Sequence, residues 1–456
     1  MLTYDLKKSP GVPLYEALYR CIRGDILGGK LTQGQKLPSK RALAANLEVS
    51  KITVEAAYNQ LLSEGYIYAQ EKVGYFVEAV ELMSPVTEIP LPTQSPCAEN
   101  PTVDLTAGGS ARFPFSVWSR LQRSVMLDLG KELLRPLPNQ GHPGLRQAIA
   151  EHLRAFRGMS VSPDNILIGA GTDFLYNLLI QLLGRDLIYA VEEPGYGKIR
   201  QIYAAAGAQC IDAPMDTFGV RPEALGNAQV LHISPSHHFP TGIIMPPARR
   251  LELLNWAAQG EKWIIEDDYD TEFRFAAHPL SAMHSLDRHG RVIYMNTFSK
   301  TLAPSIRISY MVLPPALMAQ FRQELGFYGC TVPSFEQFTL ERFLREGYFE
   351  KHINRMRKAY KNQRNRLMEL LKSSPIAHRI TILEPDAGLH FLLRIQTKLD
   401  DTALTAQWHT AGIRIRPLSY YYHGTTPPDD ERCLVVDYSG LTDADFSRLE
   451  TALSRL

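Results

Sequence analysis

Three side chains that together can do amine chemistry stand at the ends of two short apolar runs. Trp263-Ile264-Ile265 leads into Glu266-Asp267-Asp268-Tyr269, and the run 292–295 leads into Thr297-Phe298-Ser299-Lys300. Both runs read as buried strands of an α/β sheet, where ligands collect at the carboxyl ends of the strands. An acid (Asp267), a phenol (Tyr269) and a lysine (Lys300) would then arrive at one edge. The chemistry that joins them is that of pyridoxal 5'-phosphate (PLP). A lysine condenses with its aldehyde, a carboxylate keeps its pyridinium nitrogen protonated, and a phenol hydrogen-bonds its ring oxygen. Thr297, Ser299 and Arg307 flank the lysine and offer hydroxyls and a cation to a phosphate. A second anion site is expected where Gly169-Ala170-Gly171-Thr172-Asp173 follows the apolar run 166–168 and opens a helix. Each signal alone is weak, since a lysine after a strand usually lies in solvent and a glycine turn usually just reverses the chain. Their joint order and spacing carry the reading.

These residues need a scaffold, and the chain has one. It has 456 residues, of which 45% are hydrophobic and 21% charged, a globular composition. The formal net charge is +1, so no global basic field marks a nucleic-acid binder and any DNA contact must be local. Five widely spaced cysteines, with no C-x-x-C, exclude a disulfide framework and a cysteine-based zinc site. No apolar stretch is long enough to span a membrane and no signal-peptide pattern opens the chain, so the expectation is a soluble cytoplasmic protein. The composition changes once. Residues 80–103 hold Pro85, Pro90, Pro92, Pro96 and Pro101 and read as an extended linker. The expected division is 1–79, linker 80–103, and 104–456, where apolar runs alternate with helical patterns as in a mostly parallel sheet.

In the first part, Leu14, Leu18, Ile22 and Ile26 mark one amphipathic helix, which Gly28-Gly29 stop. Ser39 caps a short second helix and Ser50 precedes a third, which turns Val54, Ala57, Tyr58 and Leu61 inward. Two β-like runs, 66–69 and 75–77, flank the turn Lys72-Val73-Gly74. Helix, three-residue turn, helix and hairpin make a winged helix-turn-helix. Its third helix would enter the major groove with Lys51 and Thr53 toward the bases, and Lys40 and Arg41 near the backbone. Charge alone would leave this basic stretch a solvated face; the order of elements favours DNA.

The residues also resemble known families. Leu37-Pro38-Ser39-Lys40-Arg41, Val49-Ser50-Lys51, Thr53-Val54, Glu64-Gly65-Tyr66 and Gly74-Tyr75-Phe76-Val77 are similar to the GntR-type winged helix. That resemblance implies DNA contacts from Arg41, Lys51 and Thr53, with Lys40 and the wing residue Lys72 beside them. Lys51 stands where Arg is usual, which keeps the charge and loses the bidentate fork. The second part resembles fold-type I, aminotransferase-like PLP proteins. The matches are Pro138-Asn139-Gln140-Gly141, Gly144-Leu145-Arg146, Glu193-Pro194-Gly195-Tyr196 and the segment from Pro235 through His237 to Gly242. Both halves together are similar to the MocR subfamily of GntR-type regulators.

The resemblance implies a multi-domain chain, a winged helix plus a large α/β PLP-transferase-like domain with a small C-terminal α+β subdomain. It implies PLP held on Lys300 with Asp267 at the pyridinium nitrogen and Tyr269 at the ring oxygen. Tyr196 would stack on the ring, His237 would stand beside it, and Gly171, Thr172, Thr297, Ser299 and Arg307 would hold the phosphate. The arginine that usually grips a substrate carboxylate is replaced by Val435; Lys198, Arg414 and Arg416 are possible substitutes. Two functions stay open. One is a homodimeric transcriptional regulator, domain-swapped or not, that senses PLP, or an amino compound, through an internal or external aldimine at Lys300. The other is a working aminotransferase that carries a DNA-binding domain. Regulated genes, effector identity and the direction of control are not written in the residues.

Overall fold

The computed structural model describes residues 2–4, 6, 12–79, 103–106, 108, 112–275, 281–384, 386, 388–424 and 432–456. The proline-rich stretch 80–102, with Cys97, lies outside the described residues. The chain divides into two compact units, Met1–Ala98 and Glu99–Leu456.

The first unit holds α1 (Leu14–Leu27), α2 (Lys40–Asn46), α3 (Lys51–Ser63), β1 (Ile67–Gln70) and β2 (Gly74–Val77). Helix α1 buries Leu18, Ile22 and Ile26 and stops at Gly28, as its four-residue spacing predicts. Leu14 is exposed at the first turn. The Ser39 hydroxyl accepts the Ala42 amide at 3.2 Å and the Ser50 hydroxyl accepts the Thr53 amide at 3.1 Å. Both helices therefore begin at side-chain caps that satisfy amides lacking a helical partner. Val54, Ala57, Tyr58 and Leu61 are fully buried, and the Tyr58 hydroxyl donates to the Pro38 carbonyl at 2.9 Å, fixing α3 against the start of α2. The hairpin pairs Ile67 with Val77 and Gln70 with Gly74. Tyr66 stays outside β1 because Gly65, at φ +75°, turns its amide back to the Leu61 carbonyl.

The second unit is built on an eight-stranded sheet. Its strands are β4 (Ile166–Gly169), β5 (Ile188–Glu193), β6 (Gln209–Asp216), β7 (Gly219–Val220), β8 (Val230–Ile233), β9 (Trp263–Asp267), β10 (Val292–Thr297) and β11 (Ser309–Val312), after a short β3 (Val103–Asp104). The order across the sheet is β4-β11-β10-β9-β8-β5-β6-β7. β10, β9, β8, β5 and β6 are mutually parallel, and β11 runs antiparallel to both its neighbours. Every residue of β10 is buried, because helices cover both faces. Tyr294 packs into one apolar cluster with Ile168 and Phe298, while Ile293 and Met295 pack into another with Leu167 and Leu179. The helices that start at the sheet's carboxyl edge include α6 (Thr172–Leu183), after α4 (Phe115–Leu129) and α5 (Pro143–Arg157).

A smaller antiparallel sheet follows, in the order β12-β13-β16-β15, made of β12 (Ile380–Leu383), β13 (His390–Ile395), β15 (Arg416–Pro417) and β16 (Arg432–Asp437). β14 (Ile413–Arg414) pairs in parallel with β3 and ties the entry of the unit to its C-terminal part.

Candidate cofactor site

The acidic run Glu266-Asp267-Asp268 that closes β9 sorts itself by the strand's two-residue period. Glu266 accepts the amides of Met283 and His284 at 2.8 and 2.9 Å, capping the helical turn there. Asp268 is ion-paired to the buried Arg157 at 2.9 Å and accepts the Tyr294 hydroxyl at 2.7 Å. Asp267, between them, points the other way, into a cavity of about 400 Å³. Its Oδ2 accepts the Tyr176 hydroxyl at 2.5 Å, and His232 Nε2 stands 3.6 Å away. Its Oδ1 is buried and has no hydrogen-bond partner among the described residues. An unpaired buried carboxylate oxygen is costly, and a pyridinium N–H is the donor that would satisfy it. Burial and then Asp267 raise the Tyr176 phenol well above its ordinary range, so it stays a donor. His232 is oriented from behind by the Tyr203 hydroxyl, 2.7 Å from its Nδ1.

Lys300 lies in the short helical turn Phe298–Thr301 that follows β10 directly, with its ammonium in the same cavity. Thr297 caps that turn by accepting the Ser299 amide at 3.1 Å. Arg307 sits at φ +49°, and its guanidinium reaches the Ala170 carbonyl at 3.3 Å and Asp173 at 3.2 Å. It lies against Gly171, where an added Cβ would stand 2.4 Å from Arg307 Nη2. Gly171 is therefore required twice, for its φ of +87° and for this close approach. Burial opposes ionisation of Asp173, yet Lys198, at 2.7 Å, and Arg307 hold its carboxyl below the usual range. Thr172, Thr297, Ser299 and Arg307 line the cavity beside the first turn of α6 and offer hydroxyls and a cation suited to a phosphate. The donor set fits PLP: a cation and hydroxyls, an unpaired carboxylate oxygen and an amine share one cavity.

Tyr196 and Tyr269 also line the cavity. Tyr196 is half exposed, with Phe239 at a ring separation of 6.0 Å. Burial and the nearby Asp270 and Asp267 push the Tyr269 phenol well up. His237 does not reach the cavity wall. It lies buried behind Tyr269, with Nδ1 2.9 Å from Asp270 and 3.3 Å from the Tyr269 hydroxyl, so it positions the phenol. Of the candidate carboxylate grips, Lys198 is committed to Asp173, and Arg414 is exposed and ion-paired to Asp104 at 3.4 Å. Arg416 lines the cavity, its guanidinium 4.7 Å from the Tyr420 ring centre. Val435 is buried with Leu392 and Tyr421, an apolar position that holds no charge.

Sequence reasoning missed Tyr176, His232, Glu192 and Asp437. Tyr176 follows Thr172 by four residues on α6 and so shares its face, a signal that was present. Glu192 lines the cavity and accepts the Ser234 amide at 3.0 Å; burial raises its carboxyl well above the usual range. The other two come from strands whose adjacency only the fold reveals.

In the winged unit Arg41, Lys51 and Lys72 are exposed. Thr53 is half-buried, and its hydroxyl lies 2.8 Å from that of Ser50. Lys40 is turned inward, ion-paired with Glu55 at 2.8 Å and held over the Tyr75 ring. Its ammonium braces α2 against α3. Ile52, between Lys51 and Thr53, is 77% exposed, which is unusual for an isoleucine in a helix.

The second unit, with this lysine, carboxylate and phosphate cup at the carboxyl edge of its sheet, is a fold-type I PLP-dependent transferase-like domain. The first is a winged helix-turn-helix. Residues 102–453 match the family Aminotransferase class I and II, and residues 14–77 match Bacterial regulatory proteins, gntR family. The chain is 36% identical to the HTH-type transcriptional regulator YdeL of Bacillus subtilis, over 98% of this chain and 97% of that one. It is 33% identical to the rhizopine catabolism regulatory protein MocR of Rhizobium meliloti, over 96% and 92%. Among solved structures, Pyrococcus horikoshii kynurenine aminotransferase matches with a TM-score of 0.66 and 25% identity, covering 78% of this chain and 91% of that one. The chain belongs to the MocR-like family, GntR-type transcriptional regulators joined to an aminotransferase-like, PLP-binding domain.

Proposed function

We infer that this regulator senses an amino compound through PLP at Lys300, and that occupancy of the cavity sets how the winged helices engage DNA. PLP, when bound, supplies a carbonyl that condenses reversibly with amines. The chain's residues supply the rest. Asp267, backed by Tyr176, holds the ring nitrogen, and Arg307 with the first turn of α6 holds the phosphate. Tyr269, braced by His237 and Asp270, holds the ring oxygen. The single observation that supports sensing over turnover is that Val435, which the resemblance places where a carboxylate-gripping arginine usually stands, lies buried in an apolar cluster. A ligand that shifts DNA affinity must bind the two arrangements of the protein unequally.

On DNA, we assign Arg41 and Lys72 to phosphates, Lys51 and Thr53 to the first turn of the groove helix, and Ile52 to a thymine methyl. A homodimer is supported by Phe115, Leu127 and Leu134, large apolar side chains exposed on α4 and the turn after it. A mass measurement in solution tests it; a monomer at micromolar concentration refutes it.

The test of sensing is an absorbance titration of the PLP-loaded protein with a panel of amines, alongside DNA binding, with Lys300→Ala as control. A spectral change that saturates without a keto or aldehyde product, together with altered DNA affinity, supports the sensor. Release of such a product with accumulation of pyridoxamine phosphate establishes the second reading, an aminotransferase, which the complete cofactor set favours.

A further inference from the structure

The wall that β16 gives the cavity carries a carboxyl group, that of Asp437, close to Lys300. Asp437 ends β16, two residues after Val435 and on the same face of the strand. Its Oδ1 is saturated by Ser439, which donates its amide at 2.9 Å and its hydroxyl at 2.6 Å. Its Oδ2 makes no hydrogen bond among the described residues and faces the cavity. Gly108 marks the spot: a Cβ there would stand 3.2 Å from Asp437 Oδ2, from Lys300 Nζ and from Ser439 Oγ alike. A carboxylate oxygen and the reactive amine thus share one small space, kept open because residue 108 has no side chain. Burial pushes the Asp437 carboxyl up, and Lys300 and Ser439 act against that push.

An amine that takes the place of Lys300 Nζ brings its neighbouring substituents against Oδ2. A carboxylate on the carbon bearing the amine would bring its oxygens against Oδ2, acceptor against acceptor, in a partly enclosed site with no arginine at 435 to bridge them. A hydroxymethyl group on that carbon would instead offer its O–H to Oδ2, a free acceptor. Arg416 also lines the cavity, but its guanidinium lies over the Tyr420 ring, 4.7 Å from its centre, and makes no ion pair with Asp437 among the described residues.

We propose that Asp437 is the specificity-determining residue of this site, barring α-amino acids and selecting amines that carry a hydroxyl beside the amino group, the vicinal amino alcohols. The proposal rests on the amine-sensing reading above and names the ligand class of that same site.

The probes are serinol and serine, which differ in a hydroxymethyl against a carboxylate on the same carbon, with methylamine as a reference for simple amine access. Binding to the PLP-loaded full-length chain is followed by calorimetry and by the cofactor's absorbance. Serinol is expected to bind at least ~10-fold more tightly than serine, and Asp437→Asn to bring the two to within about three-fold. Equal or tighter binding of serine by the native protein overturns the proposal, and needs no variant to fold. So does a serinol preference that survives in a folded Asp437→Asn protein retaining its PLP. If methylamine fails to perturb the cofactor band at all, the amine-sensing reading falls and takes this proposal with it. If methylamine does perturb the band and the native protein shows no preference for serinol, only the proposal for Asp437 falls.

Discussion

Replacing Asp267 with asparagine tests the cofactor site at its most constrained point. Asp267 is 6% exposed, and its two oxygens face different donors. Oδ2 receives the Tyr176 hydroxyl and Oδ1 is left for the ring nitrogen. A carboxamide keeps the shape but offers one acceptor and one NH2 group. Either Tyr176 or the ring N–H must then face a donor. A hydrogen bond to a charged group contributes about 1.5–3 kcal/mol. At 1.4 kcal/mol per factor of ten, Asp267→Asn is expected to weaken PLP binding about 10- to 100-fold. The assay is equilibrium dialysis of the full-length chain against a series of PLP concentrations, with the thermal midpoint of the cofactor-free protein as the check on folding. Tyr176→Phe removes one donor and leaves the charge, so its effect should be smaller, about ten-fold or less. A PLP affinity within about three-fold of the native value, in a folded Asp267→Asn protein, refutes the placement of the ring nitrogen at Oδ1.

Lys300→Ala is expected to abolish borohydride-stable attachment of a pyridoxyl group, read as a mass increment, while PLP still binds reversibly through Asp267 and Arg307. Gly171→Ala forces an alanine into a positive-φ, extended conformation (φ +87°, ψ 164°) that essentially only glycine adopts, at about 1–3 kcal/mol, and displaces Arg307; the check is PLP affinity, expected to fall about ten-fold or more, against the midpoint of urea unfolding. Lys51→Ala should reduce the slope of log affinity against log salt by about one for a specific DNA site, whereas Lys40→Ala should mainly lower stability of the winged unit. The buried His238 has its pKa pulled down from 6.5 to about 3, by burial first and His237 second. The folded state keeps it neutral, so the stability it contributes is complete above pH 6.5 and declines as pH falls toward 3, because only the unfolded chain takes up the proton. The expected slope is about 1.4 kcal/mol per pH unit at most. Buried carboxyls raised by burial, such as Glu266, act in the opposite sense. The difference between the native protein and His238→Gln in urea unfolding at pH 7.5 and 5.5 isolates the histidine.

Local signals were the legible part. The caps at Ser39 and Ser50, the inward face of α3, and the strands that end in Asp267 and Lys300 all follow from spacing, capping and short apolar runs. What stayed hidden depends on which strands lie side by side. Nothing in the sequence puts Asp437 beside Lys300, 137 positions earlier; the fold does so, with the Asp437 amide donating to the Leu105 carbonyl at 2.9 Å and so setting the end of β16 beside the entry segment. His237 looked like a cavity residue because its segment runs past the site; the buried carboxylate of Asp270 draws its ring inward. Lys40 looked like a phosphate contact for the same kind of reason, and Glu55, one turn into α3, claims it. In both cases a tertiary ion pair decides the side chain's direction, and periodicity carries no information about it.

The cavity draws its cofactor-facing residues from one sheet and its opposite wall from another. Asp267 and Thr297 end β9 and β10, and Lys300 and Arg307 sit on the turns beyond β10, held by strands buried along nearly their whole length. Asp437 and Arg416 reach the cavity from β16 and β15 of the small sheet, apart from those strand ends and turns. A change on β15 or β16 can therefore alter the compound recognised while retention of PLP is inherited unchanged. Descendants of one ancestral regulator could pass to new signals by single replacements on that wall, with the chemistry that detects an amine kept intact at every step.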